Sequence, residues 1–363
     1  MADLKIAIDC MGGDFGPSVV IPAVHQSLLK HQNSSSKFKS NSALGLNAEL
    51  SSSPTGILNV YFNLFGNEAG ILSELSKSKI LNHPNISIIQ SEDDVLMTDK
   101  PLTALKKKKR SSMRLALESV RDGRSHACVS AGNTGALMAV ARFILKMLPG
   151  IERPAIISAI PTLKDSSVYL LDLGANIDCD EKRLFQFAVM GNVLCKSIDG
   201  IQNPKIGLLN VGEEEMKGSE RLKITAKLLE EHPGLNYCGF VEANQIFTGD
   251  YHVIVTDGFT GNSVLKASEG LSEFLTTKLK LAFQRNWWTK WIAIFAKPVI
   301  NIFKHEINPE RYNGACFIGL RGVVVKSHGG ANVNATFFAI EEAISQAIKK
   351  VPSRIRETLE SNK

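Results

Sequence analysis

The chain has 363 residues, 44% of them hydrophobic and 21% charged, with a net charge of +6. That is the composition of an ordinary soluble globular protein, long enough for one large α/β domain or two moderate ones. No uninterrupted apolar run reaches about 18 residues, which excludes a spanning helix, and Met1-Ala-Asp-Leu-Lys5 carries no apolar signal segment.

In chain order, residues 6–8 are predicted as a first strand, followed by the loop Asp9-Cys-Met-Gly-Gly-Asp-Phe-Gly-Pro17 and a helix over 19–30. Residues 33–56 hold eight serines and little periodicity, which predicts a mobile surface insertion. Strands are predicted at 58–65, 86–89, 127–129, 155–160, 168–171 and 206–209, with helical patterns at 181–195 and 220–231. This alternation predicts a largely parallel sheet sandwiched by helices, read as a single α/β domain over 1–363. The six cysteines, Cys10, Cys128, Cys179, Cys195, Cys238 and Cys316, lie far apart with no C-x-x-C pair, as expected of buried reduced thiols.

One phrase occurs twice. Val129-Ser-Ala-Gly-Asn-Thr-Gly135 and Val255-Thr-Asp-Gly-Phe-Thr-Gly261 share Gly-x-Thr-Gly, each between a β-branched run and an apolar helical segment. Glycines at such a junction turn the backbone tightly and free amide N–H groups, and the helix end adds partial positive charge. That geometry suits an anion. Two copies suggest a site built from more than one βα loop. The adjacent glycines Gly12 and Gly13, flanked by Asp9 and Asp14, mark a further close-approach loop at a strand end.

Two surface features stand out. Residues 271–304 gather all three tryptophans, Trp287, Trp288 and Trp291, with Phe295 and with Lys290, Lys297 and Lys304 at intervals of seven. Lysines in one stripe beside a broad apolar face predict an amphipathic helical hairpin that meets a membrane surface or packs at a dimer interface. The basic run Lys106-Lys-Lys-Lys-Arg110, with Arg114, places positions 106, 110 and 114 on one helix face at i, i+4 spacing. It is either a solvated face or a landing patch for an acidic partner, formed by Lys106, Lys107, Lys109, Arg110 and Arg114. No nucleic-acid motif is present, so nucleic acid is not an expected partner.

A set of blocks then occurs in order: Asp9-x-Met-Gly-Gly-Asp14, Ser111-Ser-Met-Arg114, Ser130-Ala-Gly-Asn-Thr-Gly-Ala-Leu-Met138, Arg153-Pro-Ala, Asp172-x-Gly-Ala-Asn176, Leu209-Asn-Val-Gly-Glu-Glu-Glu215, Asp257-Gly-Phe-Thr-Gly-Asn262 and Lys326-Ser-His-Gly329. Together they resemble the PlsX family, the acyl-carrier-protein:phosphate acyltransferases of bacterial phospholipid synthesis, over nearly the whole chain. The resemblance implies a fold like that of isopropylmalate dehydrogenase and phosphate acetyltransferase. It also implies a homodimer in the cytoplasm, peripheral to the inner face of the membrane. The implied reaction moves a long-chain acyl group from acyl carrier protein to inorganic phosphate. A glycerol-3-phosphate acyltransferase is then the expected consumer of the acyl phosphate.

Such a reaction needs a positioned anion and an oxyanion stabiliser more than a strong base. Gly132, Asn133, Thr134 and Gly135 are the expected phosphate cradle, with Gly258, Thr260, Gly261 and Asn262 as its opposite wall or a hold on the thioester. Lys326 and His328 would neutralise phosphate or polarise the carbonyl, and they are the catalytic candidates with Asn133 and Asp257. Asp9, Gly12, Gly13, Asp14, Asp172 and Asn176 would shape the substrate loops. Since carboxylates repel phosphate, some of the four aspartates are expected to pair with lysine or cap helices instead. Direct attack by phosphate is expected rather than an acyl-Cys10 intermediate. Neither cofactor nor metal is expected. The alternatives are a nicotinamide-dependent dehydrogenase of the isopropylmalate type, although no Gly-x-Gly-x-x-Gly follows a strand, a coenzyme A-dependent phosphate acyltransferase, and a non-catalytic membrane-docking scaffold.

Overall fold

The structure, a computed structural model, describes residues 3–42, 59–164, 166–214 and 216–361. In chain order β1 (Asp3–Asp9), α1 (Pro17–Ser42), β2 (Asn59–Gly66), α2 (Glu68–Lys77), β3 (Ile86–Gln90), α3 (Pro101–Lys107), α4 (Ser112–Arg121), β4 (Ala127–Ser130) and α5 (Thr134–Leu145) come first. They are followed by β5 (Ala155–Pro161), β6 (Ser167–Leu171), α6 (Glu181–Ile198), β7 (Lys205–Leu209), α7 (Glu220–Glu230), β8 (Asn236–Val241), β9 (Val253–Val255), α8 (Gly258–Gln284) and α9 (Trp287–Ile307). The chain closes with β10 (Ala315–Ile318), β11 (Val323–Lys326), α10 (Val333–Lys349) and α11 (Val351–Ser361).

Where the sequence rhythm allows a single domain over 1–363, the chain divides into two compact units. One holds Met1–Pro154 with Asn313–Lys363, and the other Ala155–Tyr312.

In the first unit the strands lie in the order β3-β2-β1-β4-β11-β10, parallel except for β10, which runs against β11. The chain walks outward from β1 to β3, then returns to place β4 on the other flank of β1. Strand order therefore reverses between β1 and β4, and the crevice outside their carboxyl ends is where open α/β sheets bind ligands. Asp9, Ser130 and Lys326 fall opposite one another in register across β1, β4 and β11, so the row ends all three strands at one level. Below that row the strands are apolar on both faces, as parallel strands covered by helices must be. Ile6, Ile8, Phe62, Leu64, Val129 and Val325 pack with Ile21 and Val24 of α1 and with Ile340 and Ile344 of α10. Each such side chain contributes about 1.5–3 kcal/mol on full burial.

Helix ends follow local chemistry. Asn67 caps α2 by accepting the Gly70 amide at 2.9 Å, with Glu68 in the first turn and Lys77 in the last. Between α1 and α10, Glu341 accepts from Ser27 Oγ at 2.6 Å, Lys30 Nζ at 2.7 Å and the His31 ring at 3.2 Å.

In the second unit the order is β5-β6-β9-β7-β8, parallel apart from the antiparallel pair β5–β6. The antiparallel pairs in both units depart from an unbroken βαβ rhythm, and β8 and β10 are strands that the apolar patterning does not reveal. The expected Ser-rich insertion is corrected at its start, since α1 continues through Ser42. The rest of it, 43–56, lies outside the described residues. The hairpin expected at 271–304 belongs to a longer helical pair that begins at Gly258, with Asn286 capping α9 by accepting the Thr289 amide at 3.0 Å.

Candidate functional site

Three strand-end loops meet in the first unit. Asp9, 2% exposed, accepts from Ser112 Oγ and Ser130 Oγ at 2.6 Å each and from the Met11 amide at 3.3 Å. Burial pushes the Asp9 carboxyl above the usual carboxylate range, and the serine hydroxyls pull it back in part. Ser130 Oγ in turn accepts the Gly132 amide at 3.1 Å.

The glycines of the first loop have a steric reason. A Cβ on Gly12 would lie 2.6 Å from Gly132 N, and Gly13 adopts φ +84° with a Cβ position only 2.8 Å from Gly329 O. The loops are stitched by Asp14 N donating to Gly329 O at 2.9 Å and Ser327 N donating to Ser130 O at 3.0 Å. Lys326, 8% exposed, points its ammonium into the same place, donating to Ala131 O at 3.2 Å and to Ser327 O. His328 and Asp14 are exposed on the rim. The Gly330 amide donates to His328 Nδ1 at 3.2 Å, so the neutral ring carries its proton on Nε2.

The two Gly-x-Thr-Gly copies are used differently. At α5 the cap is neutral: Asn133 Oδ1 accepts the Ala136 amide at 2.9 Å, and its Nδ2 donates to Met97 O at 2.6 Å and Asp99 O at 3.3 Å. The Thr134 and Gly135 amides are exposed and have no acceptor among the described residues. Open N–H groups on a helix N-terminus can receive an anion. Of the four expected cradle residues, the Asn133 side chain and the Gly132 amide are engaged within the fold, and the Thr134 and Gly135 amides are open.

At α8, in the second unit, the cap is a carboxylate. Asp257 Oδ1 accepts the Thr260 amide at 2.9 Å, the Gly258 amide donates to Asn176 O at 2.7 Å, and Gly261 N donates to Asp257 O at 2.9 Å. Arg221 closes the arrangement, donating to Asp257 Oδ2 at 3.0 Å, to Cys179 O at 2.7 Å and to Asp178. Asp172 is fully buried and takes N–H donors from Ile156 at 2.9 Å, Ala175 at 3.1 Å and Asn176 at 2.6 Å, plus Asn176 Nδ2 at 2.9 Å. Burial raises its pKa against those donors. A Cβ on Gly261 would sit 2.0 Å from Asp172 O, so this copy of the motif joins two loops by close backbone contact. Thr260 is half-buried and Asn262 exposed.

None of these aspartates pairs with lysine in the hydrogen bonds above. Asp9 uses serines, Asp172 uses amides, and Asp257 caps a helix beside an arginine.

The basic run is corrected. α3 ends at Lys107, Lys108 adopts φ −94° and ψ 58°, and Ser111 caps a new helix, so positions 106, 110 and 114 share no helix face. Arg110 pairs with Glu92 at 2.6 Å. Arg114 is largely covered, paired with Glu118 at 3.0 Å and donating to Leu105 O at 3.2 Å. Lys106, Lys107 and Lys109 remain exposed. Cys10 and Cys128 are wholly buried, with thiol pKa values pushed well up by burial and by Asp9, so neither is placed to act as a nucleophile.

On α9, Trp287 and Trp288 stack at 3.8 Å between ring centroids. Together with Trp291, Phe295, Lys290 and Lys297 they are exposed, as are Leu271, Phe274, Leu275 and Leu281 of α8. No described helix is long and apolar enough to cross a membrane.

The residues that sequence reasoning misses are Ser112, Ser130 as a partner of Asp9, and Arg221. Ser112 and Ser130 stand inside recognisable blocks, but the pairing with Asp9 arises only from strand register. Arg221 carries no local signal.

The whole fold matches a phosphotransacetylase from Streptococcus pyogenes, with a TM-score of 0.59 at 17% identity over 95% of this chain and 94% of that one. That likeness defines the fold class, an α/β protein with a mostly parallel sheet between helices. Residues 48–354 match the family described as "Fatty acid synthesis protein". The chain is 43% identical to the phosphate acyltransferase of Shewanella woodyi over 99% of its length and 98% of the relative's. It is 46% identical to that of Coxiella burnetii, over 97% and 95%. The chain belongs to this family of phosphate acyltransferases, and the dehydrogenase and scaffold readings give way to an acyl-transferring enzyme.

Proposed function

We propose that the protein transfers a long-chain acyl group from acyl carrier protein to inorganic phosphate, releasing acyl phosphate for phospholipid synthesis. The observation that carries the site assignment is the pair of open amides at Thr134 and Gly135, held outward by the neutral Asn133 cap. Phosphate seated there gains the helix-end field and the nearby Lys326 ammonium. One phosphate oxygen attacks the thioester carbonyl carbon. A C–O bond forms as the C–S bond breaks, and the carrier thiolate departs with the electron pair and takes up a proton. His328 Nε2–H is the donor for the developing oxyanion or the leaving sulfur.

The exposed lysines Lys106, Lys107 and Lys109 favour encounter with an acidic carrier protein. The apolar faces of α8 and α9, with Lys290 and Lys297 beside them, support either attachment to the inner face of the cell membrane or pairing with a second copy. The consumer of acyl phosphate in this reading is a glycerol-3-phosphate acyltransferase.

The test is to incubate purified protein with palmitoyl-acyl carrier protein, with and without phosphate, and to follow carrier thiol alongside acyl phosphate. Phosphate-dependent release with matching acyl phosphate is expected. Release that ignores phosphate, or none even with liposomes, overturns the reading.

A further inference from the structure

The segment between β3 and α3 lies beside the open end of α5. Its turn is closed by Asp99, whose amide donates to Leu96 O at 3.1 Å and whose Oδ2 accepts the Leu96 amide at 2.9 Å. Asn133 ties that turn down through its bonds to Met97 O and Asp99 O. The segment lies against two of the strand-end loops. Pro101 Cγ is 3.1 Å from the Cβ position on Gly135, and Met97 Cε is 3.1 Å from that on Gly329.

Val95 anchors the turn in the interior at 8% exposure, while Leu96, Met97 and Leu102 stand 57%, 45% and 64% exposed. A single exposed leucine is normal. Three large apolar side chains are exposed within residues 96–102, the segment that Asn133 ties to the start of α5, and a polar substrate has no use for them. When phosphate sits on the Thr134 and Gly135 amides, the thioester carbonyl must come into contact with it. The hydrocarbon attached to that carbonyl then leaves along the nearest apolar surface, and residues 96–102 supply one.

We infer that Leu96, Met97 and Leu102 are the acyl-chain contact of the site, and that Asn133 is a positioning residue holding this turn against the phosphate end. The inference rests on the acyl-to-phosphate reading above.

Its test compares palmitoyl- and butanoyl-acyl carrier protein as donors for Leu96→Ser and Met97→Ser, both at exposed positions that do not threaten folding. Each variant is expected to lower the ratio of palmitoyl to butanoyl kcat/KM roughly tenfold, and Met97→Leu to restore it. Equal losses on both donors would point to carrier-protein contact and overturn the inference. Photocrosslinking with a diazirine-bearing palmitoyl donor reads chain contact without turnover, so a failed reaction and a misplaced chain are told apart. Label on residues 94–102 is expected. Label confined to other segments overturns the assignment.

Discussion

Ser130 Oγ donates to Asp9 Oδ2 at 2.6 Å across neighbouring strands and accepts the Gly132 amide on its other side, so one hydroxyl couples the first loop to the turn that opens α5. Ser130→Ala removes the acceptor of a buried N–H and one donor to a buried carboxylate. A loss of about 1–3 kcal/mol in stability is expected, with a rise in KM for phosphate larger than that for the acyl donor. Urea unfolding and phosphate titrations measure both, and an unchanged phosphate KM would separate this hydroxyl from the seat.

Gly12→Ala drives a Cβ to within 2.6 Å of a backbone nitrogen at Gly132, which has no flexible end to move aside. The turn must shift by the best part of an ångström. Turnover is expected to fall about a hundredfold while circular dichroism keeps the wild-type α/β signature. Wild-type turnover in the variant would show that the spacing of these loops is immaterial.

In the second unit, Arg221→Ala strips the cation from Asp257 and Asp178. Both the arginine and Asp257 are partly covered, so the loss lies between surface and buried ion pairs, about 1–2 kcal/mol. Pairing it with Asp257→Asn in a double-mutant cycle should recover part of that loss. Strict additivity would mean the two side chains do not interact.

Acid stability has an identifiable contributor. Burial alone would raise Glu341, but hydrogen bonds from His31, Lys30 and Ser27 together outweigh it and hold the carboxyl below its ordinary range. Its folded pKa is therefore lower than its unfolded one. The stabilisation is complete above the ordinary carboxyl value of about 4.3 and is lost as pH falls through the folded value. Glu341→Gln should lower the urea midpoint near neutrality and flatten its decline in acid. A variant with the wild-type acid slope would assign that slope elsewhere.

For the helical pair, Trp288→Glu together with Phe295→Glu places charge on the exposed apolar face of α9. Flotation with anionic vesicles is expected to drop sharply if lipid covers this face. Conversion from dimer to monomer in light scattering is expected if a second copy does. Retention of both properties would remove the face from either role.

Much of this was legible in the chain, for definite reasons. Parallel strands buried on both faces are short apolar runs, so β1, β2 and β4 announce themselves, and the glycines beside them follow from backbone approach. What stayed hidden depends on register and on competition between caps. Ser130 meets Asp9 across 121 residues of sequence, a distance that no local pattern spans. The lysine run reads as one helix by spacing alone, yet Ser111 offers the Arg114 amide a better partner and restarts the helix. The repeated Gly-x-Thr-Gly looks equivalent in both copies until the capping side chains and their neighbours are placed.

The pair of caps also says how this enzyme would age. Asn133 and Asp257 differ by a single terminal group, an amide against a carboxylate oxygen. Hydrolysis of the Asn133 carboxamide would install a negative charge at the helix end proposed to receive phosphate. It would also remove the donor that fastens the 96–99 turn. Old protein of unchanged fold and nearly unchanged mass would then carry a guarded phosphate seat and a loosened turn, a lesion visible as one acidic step in isoelectric focusing.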